Sequence, residues 1–201
     1  MALGKRGIKT KELLSGVCCG DRLINVDSLE QVVLLAIEIA REGREGKKIG
    51  TMFVVSDSEE VLRRSRCLIL DPLLGHPDDK KHIDDHNLRE TVKELAQLDG
   101  AFIMSDKGIV ISAARYINAS SKGIELPLGL GSRHMAAASI SKSTNAVAVV
   151  VSESSMVRIF DNGEIVGEII PEIWMMNQYS THIKMPYHER SDSEITVLSK
   201  D

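Results

Sequence analysis

Two periodicities alternate along the chain, one typical of helices and one typical of strands. Residues 29–40 carry apolar side chains on one broad helical face. Asp27 and Ser28 before this run are good capping residues and Gly43 after it favours a helix end, so a helix is predicted between them. Similar patterns predict further helices at residues 58–64, 87–97 and 135–141.

Continuous apolar runs between these helices predict strands that are buried on both faces of a sheet. Such runs occupy residues 49–55 and 146–152, with a shorter one at 67–70. Two hairpins are also predicted, because the turn formers at 106–108 and 161–163 each separate two apolar segments. Helices interleaved with strands and hairpins favour the α/β class, with a mixed central β-sheet flanked by helices in a single domain.

The pattern divides the chain into three segments. Residues 1–26 have mixed polarity without a clear period, which predicts an N-terminal arm or linker. Residues 27–171 contain every predicted helix and strand and form the expected domain. Residues 172–201 are polar with weak periodicity and are predicted to be a C-terminal tail.

Composition narrows the class of protein. A chain of 201 residues that is 43% hydrophobic and 27% charged suits one soluble domain with a real core. Aromatic residues make up only 3% and the net charge is −4, which argues against stacking on single-stranded nucleic acid and against binding to a duplex. Three cysteines without framework spacing indicate reduced thiols, so we expect a cytoplasmic protein. The apolar run at 29–40 is too short to span a bilayer, so we expect no membrane anchor.

The first candidate functional site lies at residues 129–138, Gly-Leu-Gly-Ser-Arg-His-Met-Ala-Ala-Ala. Ser132 is a good N-cap, and the alanines favour the helix that follows. A helix N-terminus suits phosphate, Arg133 adds a fixed cation, and His134 can donate or accept a proton. Two interpretations remain open, an anion site and an ordinary capped surface helix.

A second block, Asp-Gly-Ala-Phe-Ile at 99–103, precedes Ile-Ser-Ala-Ala-Arg-Tyr-Ile at 111–117, Gly-Ser-Arg-His-Met-Ala-Ala at 131–137 and Val-Val-Val-Ser-Glu-Ser at 149–154. These ordered blocks resemble the diadenylate cyclase family, most closely its archaeal branch, over residues 27–171. The resemblance implies a catalytic domain that condenses two ATP molecules into cyclic di-AMP and two pyrophosphates, with Mg²⁺ or Mn²⁺ as cofactor. One ATP site per chain implies catalysis across a face-to-face homodimer, or within a larger homo-oligomer.

The resemblance also implies site residues. Asp99, Arg133 and His134 are the expected catalytic residues, and Asp99 and Glu153 the expected metal ligands. ATP is expected to contact Gly100, Ala101, Tyr116, Ile117, Gly131, Ser132, Arg133, His134, Met135 and Ser152. Ser132 stands where threonine is usual, and Met135 stands where a second arginine is frequent. We expect Lys142 or a metal ion to replace that missing cation.

Purely structural interpretations of these residues also remain open. Asp99 could cap a turn, Glu153 could be a solvated charge at a strand end, and Ile117 could be an ordinary core residue. The histidines and aspartates of residues 76–86 match no zinc spacing and predict a solvated loop. Two alternative functions are a non-catalytic sensor that binds ATP or a cyclic dinucleotide, and an adaptor associated with DNA, against which the acidic balance argues.

Overall fold

One β-sheet with helices on both faces organises the computed structural model, which describes residues 24–171, 187–191 and 196–200. The helices are α1 (Val26–Glu42), α2 (Ser58–Arg63), α3 (His86–Leu95) and α4 (Ser132–Ser143), with a 3₁₀ turn at Asp78–Lys80. The strands are β1 (Thr51–Val55), β2 (Ser65–Cys67), β3 (Ala101–Met104), β4 (Val110–Ile117), β5 (Val147–Val151), β6 (Val157–Asp161), β7 (Glu164–Ile170), β8 (His188–Ser191) and β9 (Thr196–Ser199).

The sheet is mixed, which confirms the predicted class. Its strands lie in the order β2-β4-β3-β1-β5-β6-β7-β9-β8 within the described residues. Strands β1 and β3 are parallel, and all other neighbouring strands are antiparallel. The β3–β4 and β6–β7 pairs are the two predicted hairpins. Because β1 and β5 lie in the middle, both are buried along their whole length, as their continuous apolar runs predict.

Alternation along β1 separates two hydrophobic cores. Phe53 faces the core that also contains Val32 of α1 and Val92 of α3. Val54 faces the opposite core, with Val61 of α2 and further side chains of α4. Successive side chains of a strand point to opposite faces, so α1 and α3 cover one face of the sheet and α2 and α4 the other. Complete burial of a residue such as Phe53 contributes about 1.5–3 kcal/mol.

The cap of α1 differs from the prediction. Asn25 is the N-cap, and its side-chain oxygen accepts hydrogen bonds from the amides of Asp27 and Ser28. Ser28 lies inside the helix and donates instead to the carbonyl of Asp106, 2.9 Å away. The helix ends at Gly43 with φ +61°, as predicted.

Ion pairs hold α3 against α1. The Lys93 ammonium is buried and lies 3.0 Å from Glu38 and 3.2 Å from Glu42. Arg89 pairs with Glu38 at 2.6 Å. Partial burial raises the pKa of Glu38, but hydrogen bonds from Lys93 and Arg89 outweigh it and hold that pKa below its usual range. Burial alone would lower the pKa of Lys93, yet the hydrogen bonds that it donates to Glu90, Glu38 and Glu42 raise this pKa well above the ordinary value.

Strands β8 and β9 were not predicted. Both strands lie within residues 172–201, which were predicted to be a polar C-terminal tail. Strand β9 pairs with β7 from Thr196 to Ser199. Val197 and Leu198 are buried there. Most of the predicted N-terminal arm, residues 1–23, lies outside the described residues, as do 172–186 and 192–195. Across the described parts of the chain, no helix is long and apolar enough to cross a membrane.

Candidate active site

The predicted site residues surround one open cleft of about 770 Å³, on the α4 side of the sheet. The predicted residues that line this cleft are Asp99, Gly100, Tyr116, Ile117, Gly131, Ser132, Arg133, His134, Met135, Ser152 and Glu153. They come from the start of β3, the end of β4, the first turn of α4 and the turn after β5. Ala101 is the exception, because it is fully buried in β3 and does not line the cleft.

The first turn of α4 has no side-chain cap. Gly131 is the N-cap and Ser132 is the first helical residue, so the prediction of Ser132 as N-cap is wrong. Asn25 and Asp85, by contrast, cap α1 and α3 with their side chains. An uncapped N-terminus leaves backbone amides and a partial positive charge directed at the cleft, which is the arrangement that binds anions.

Arg133 lies between the two candidate metal ligands. Its Nη2 is 3.9 Å from Oδ1 of Asp99, whose side chain is 93% exposed. A Cβ atom built on Gly50 would lie 2.4 Å from Arg133 Nη1 and 3.2 Å from Cγ of Glu153. The guanidinium therefore packs directly over the Gly50 backbone beside Glu153. Within the described residues Asp99 caps no backbone amide, so nothing supports its interpretation as a turn cap.

A bulge in β4 shapes the opposite wall. The β3–β4 register shifts next to Ala101, and Ala114 adopts a left-handed φ of +51°. Gly100 has φ +109°, and a Cβ there would lie 2.7 Å from the Ala114 carbonyl carbon. Asp71 holds the bulge in place, because its carboxylate accepts hydrogen bonds from the Ser112 hydroxyl and the Ala113 amide. Gly100 is thus required both for its backbone conformation and for close packing.

The β4 residues after the bulge form the rim and floor. Tyr116 is half exposed, and the guanidinium carbon of Arg66 lies 4.9 Å from the centre of its ring, a cation–π contact. Ile117 is buried and packs in the core on the α4 side. Arg115 also lines the cleft, and it donates to the carbonyls of Leu62 and Ser65, which fixes its guanidinium at the end of α2.

His134 is buried, with 7% of its surface exposed. Its Nε2 lies 3.2 Å from Nη1 of Arg158 in β6. Arg158 in turn pairs with Glu168 of β7 at 2.6 Å, and both charged side chains are almost completely buried. The histidine that the sequence places in the first turn of α4 is therefore attached to the sheet through a buried ion pair.

Ser152 and Glu153 lie in the turn between β5 and β6. The Ser152 amide donates to the Met156 carbonyl, and the Ser152 hydroxyl lies 2.8 Å from that of Ser154. These bonds close the turn and hold Glu153 at the cleft. Among the described residues, no group of three or more His, Cys, Asp or Glu side chains is arranged so that it could hold a metal ion. The cleft thus offers two carboxylates, Asp99 and Glu153, a set that suits Mg²⁺, which is often held by one or two carboxylates together with phosphate oxygens.

Lys142 does not replace the missing cation in the cleft. It lies in the last turn of α4, about two and a half turns beyond Arg133, and donates to the carbonyl of Gly123. There it lines a separate cavity of about 270 Å³. Met135 does line the cleft, where the second cationic side chain is Arg115. Arg115 had no predicted role, although it directly precedes Tyr116 in the sequence Ile-Ser-Ala-Ala-Arg-Tyr-Ile at 111–117.

Comparisons with known proteins identify the family to which the chain is similar. The family model described as DisA bacterial checkpoint controller nucleotide-binding matches residues 38–165. A Methanocaldococcus jannaschii protein named Diadenylate cyclase is 49% identical over 145 residues, which are 72% of this chain and 46% of that protein. A Haloferax volcanii protein of the same name is 40% identical over 149 residues, or 73% and 54% of the two chains.

This chain therefore spans about half the length of the curated relatives it matches. A solved structure, described as a hypothetical membrane spanning protein from Bacillus cereus, superposes with a TM-score of 0.51. The two chains are 22% identical, and the match covers 69% of this chain and 62% of the other. At that identity the likeness concerns the fold alone.

Proposed function

The chain belongs to the DAC family of nucleotide-binding domains, and from this premise we propose that it is a diadenylate cyclase, which condenses two ATP molecules into cyclic di-AMP and releases two pyrophosphates. One observation carries the proposal. Separate segments of the chain bring an exposed carboxylate, an arginine and an uncapped helix N-terminus to the same cleft. These are the groups that transfer of a nucleotidyl group requires.

The phosphates of ATP would bind at the first turn of α4. The backbone amides of Ser132 and Arg133 would donate to phosphate oxygens, since those of His134 and Met135 already donate to the Gly131 carbonyl, and the Ser132 hydroxyl would add a further donor. Arg133 contributes a charge-assisted pair of donors, worth about 1.5–3 kcal/mol. Arg115 adds positive potential at the opposite wall. Its hydrogen-bond acceptors are the carbonyls of Leu62 and Ser65, the Ser65 hydroxyl and the Cys67 sulfur, and no described carboxylate pairs with it.

Asp99 is the proposed catalytic carboxylate. Its side chain is 93% exposed at the cleft, so it can approach a ribose hydroxyl as a hydrogen-bond acceptor and orient it toward an α-phosphate. Arg133, 3.9 Å away, holds the carboxylate beside the phosphate site. Asp99 and Glu153 are the residues that would hold Mg²⁺ or Mn²⁺. When bound, that ion would lower the pKa of the hydroxyl and offset phosphate charge.

The base would lie along β4, where Tyr116 offers an aromatic face and Ile117 a backbone contact. Gly100 lets the start of β3 pack closely against β4 at this end of the cleft, since any side chain there would collide with the Ala114–Arg115 peptide. The cleft accordingly has a phosphate end at α4 and a base end at β4, with Asp99 at the start of β3 between them.

We further propose that two chains act face to face. Each chain supplies one Asp99 and one α4 N-terminus, whereas the product contains two equivalent bonds, so a two-fold axis between clefts completes both reactions. Exposed apolar side chains near the cleft support such a contact. Leu68 lines the cleft, and Leu128, in the loop before α4, is 97% exposed.

Mass analysis of the products from ATP with Mg²⁺ or Mn²⁺ tests the proposal. Cyclic di-AMP from the wild-type chain, and none from Asp99→Asn, is the expected result. ATP binding without product in either metal would overturn the proposal and favour a nucleotide sensor. For the two-chain mechanism, specific activity should fall on dilution through the dimer dissociation range. Unchanged specific activity in a verified monomer would contradict it.

A further inference from the structure

The buried ion pair between β6 and β7 has a feature that packing alone does not require. Arg158 and Glu168 are register partners in the sheet, 3% and 0% exposed, with Nε and Oε1 2.6 Å apart. Their neighbours on the same face include Phe160 and Ile165, which are apolar. Replacing such a pair with apolar residues of similar volume is often neutral or stabilising, so a contribution to stability does not explain its presence.

The contact between Arg158 and His134 is the explanation that we favour. While Nε bonds to Glu168, Nη1 lies 3.2 Å from Nε2 of His134 and Nη2 lies 3.4 Å from the sulfur of Met156. The guanidinium is thus spread over a carboxylate, an imidazole and a thioether. Of these, only His134 also lines the cleft. The ion pair therefore connects the interior of the sheet to the first turn of α4.

The direction of the hydrogen bond determines the state of the imidazole. An arginine guanidinium in a protein stays protonated and can only donate, so Nη1 donates and Nε2 accepts. A ring nitrogen that accepts a hydrogen bond carries no proton. The neutral ring then has its proton on Nδ1, and an imidazolium would place an N–H against the guanidinium. Glu168 keeps Arg158 in position and balances its charge in the core.

We propose that Arg158 and Glu168 are positioning residues, which hold His134 as a neutral imidazole with its proton on Nδ1 and fix the ring in the cleft wall. This inference rests on the proposed function, because it gives His134 a role toward ATP. Because Nδ1 is buried, the neutral ring acts by holding the first turn of α4 in a fixed orientation at the phosphate end of the cleft, and the positive charge there comes from Arg133.

Nitrogen-15 spectroscopy of the wild-type chain tests the tautomer directly. Long-range correlation spectra at neutral pH distinguish a protonated Nδ1 from a protonated Nε2. A protonated Nδ1 and an unprotonated Nε2 are expected for His134. A protonated Nε2, or a ring protonated on both nitrogens, would overturn the proposal. This measurement requires no variant to fold.

A double-mutant cycle tests the role. Arg158→Met/Glu168→Leu removes both charges together, and we expect kcat to fall about 10- to 100-fold, as when the outer partner of a ligating histidine is lost. In a His134→Ala chain the same double change should lower kcat less than about twofold, because the residue being positioned is absent. Equal losses in both backgrounds would overturn the proposal.

Lys93→Met is the matched control, since it also removes a buried charge but lies between α1 and α3, away from the cleft. It should lower the melting temperature and leave kcat of the folded protein unchanged. The two proposals fail separately. A chain that makes no cyclic di-AMP but shows the Nδ1–H tautomer overturns the cyclase assignment, whereas an active cyclase with the Nε2–H tautomer overturns the positioning role.

Discussion

Gly50 gives the sharpest test of how the phosphate end of the cleft is built. Its Cβ position lies 2.4 Å from Nη1 of Arg133, about 1 Å short of the 3.4 Å at which ordinary contact begins. Because the obstacle is the end of a flexible side chain, Gly50→Ala should displace the guanidinium and leave the backbone intact. The backbone of Gly50 is not in the left-handed region, so alanine brings no strain there.

Gly50→Ala is expected to lower kcat/KM without lowering the stability of the fold. Alanine at a compatible glycine position changes the free energy of unfolding by up to about 1 kcal/mol in the stabilising direction. A displacement of about 1 Å in a positioning group can lower kcat/KM about 100-fold. We therefore expect an unchanged or slightly raised melting temperature together with a loss in kcat/KM for ATP of about 10- to 100-fold.

The control for this prediction is the same change in an Arg133→Ala chain. With the guanidinium gone, the added methyl group has no Nη1 to displace and meets only Cγ of Glu153 at 3.2 Å, a slight overlap, so Gly50→Ala should then have a much smaller effect. Calorimetry and steady-state kinetics on the four chains measure both quantities. An equal loss in the two backgrounds, or unfolding of the single variant, would refute the reasoning from Arg133.

Three further predictions follow from the site and the core. Asp99→Asn should leave the melting temperature within about 2 °C, because the side chain is exposed, and abolish product formation; near-normal turnover at saturating metal would remove Asp99 from the mechanism. Arg133→Ala should weaken ATP binding by about 1.5–3 kcal/mol, measured by titration calorimetry, and unchanged affinity would show that the guanidinium does not contact phosphate. Because the pKa of Glu38 is lowered in the folded state, its ion pairs stabilise the fold at pH values above the ordinary pKa of a glutamate, and this contribution is lost as the pH falls through the folded-state pKa. Lys93→Met should therefore reduce the loss of stability between neutral pH and about pH 3.5 in urea unfolding, and an unchanged pH dependence would contradict the ion-pair account.

Much of the fold was predictable because its signals are local. The two hairpins were predicted from three-residue turns, and β1 and β5 from continuous apolar runs, since these patterns depend on neighbours in the chain. Gly43 ends α1 for the same reason. The capping residues were less predictable. Asn25, Asp27 and Ser28 are all suitable caps for α1, and the register of the helix, fixed by packing, decided which of them bonds to the first amides.

In the candidate site, too, some features were predictable from the local sequence and others depended on packing. The sequence by itself determined the glycine-rich entry to α4, the position of Asp99 before a strand and the polar end of β5, since each is a short run of residues with a known preference. Only the tertiary structure decided which of these face one cleft. It placed Lys142 in the last turn of α4, away from the cleft, brought Arg115 to the cleft and Gly50 against the Arg133 guanidinium, and buried Ala101 in β3.

The buried pair beneath His134 shows why tertiary structure was needed. Arg158 and Glu168 occupy strand positions whose pattern suggests polar, solvent-facing residues, and nothing in the adjacent sequence indicates that they pair or that α4 covers them. Their burial depends on the register of β6 against β7 and on the contact of α4 with that face of the sheet. Local preference determines which elements form, whereas the protonation and orientation of a side chain depend on residues distant in the chain that packing brings into contact.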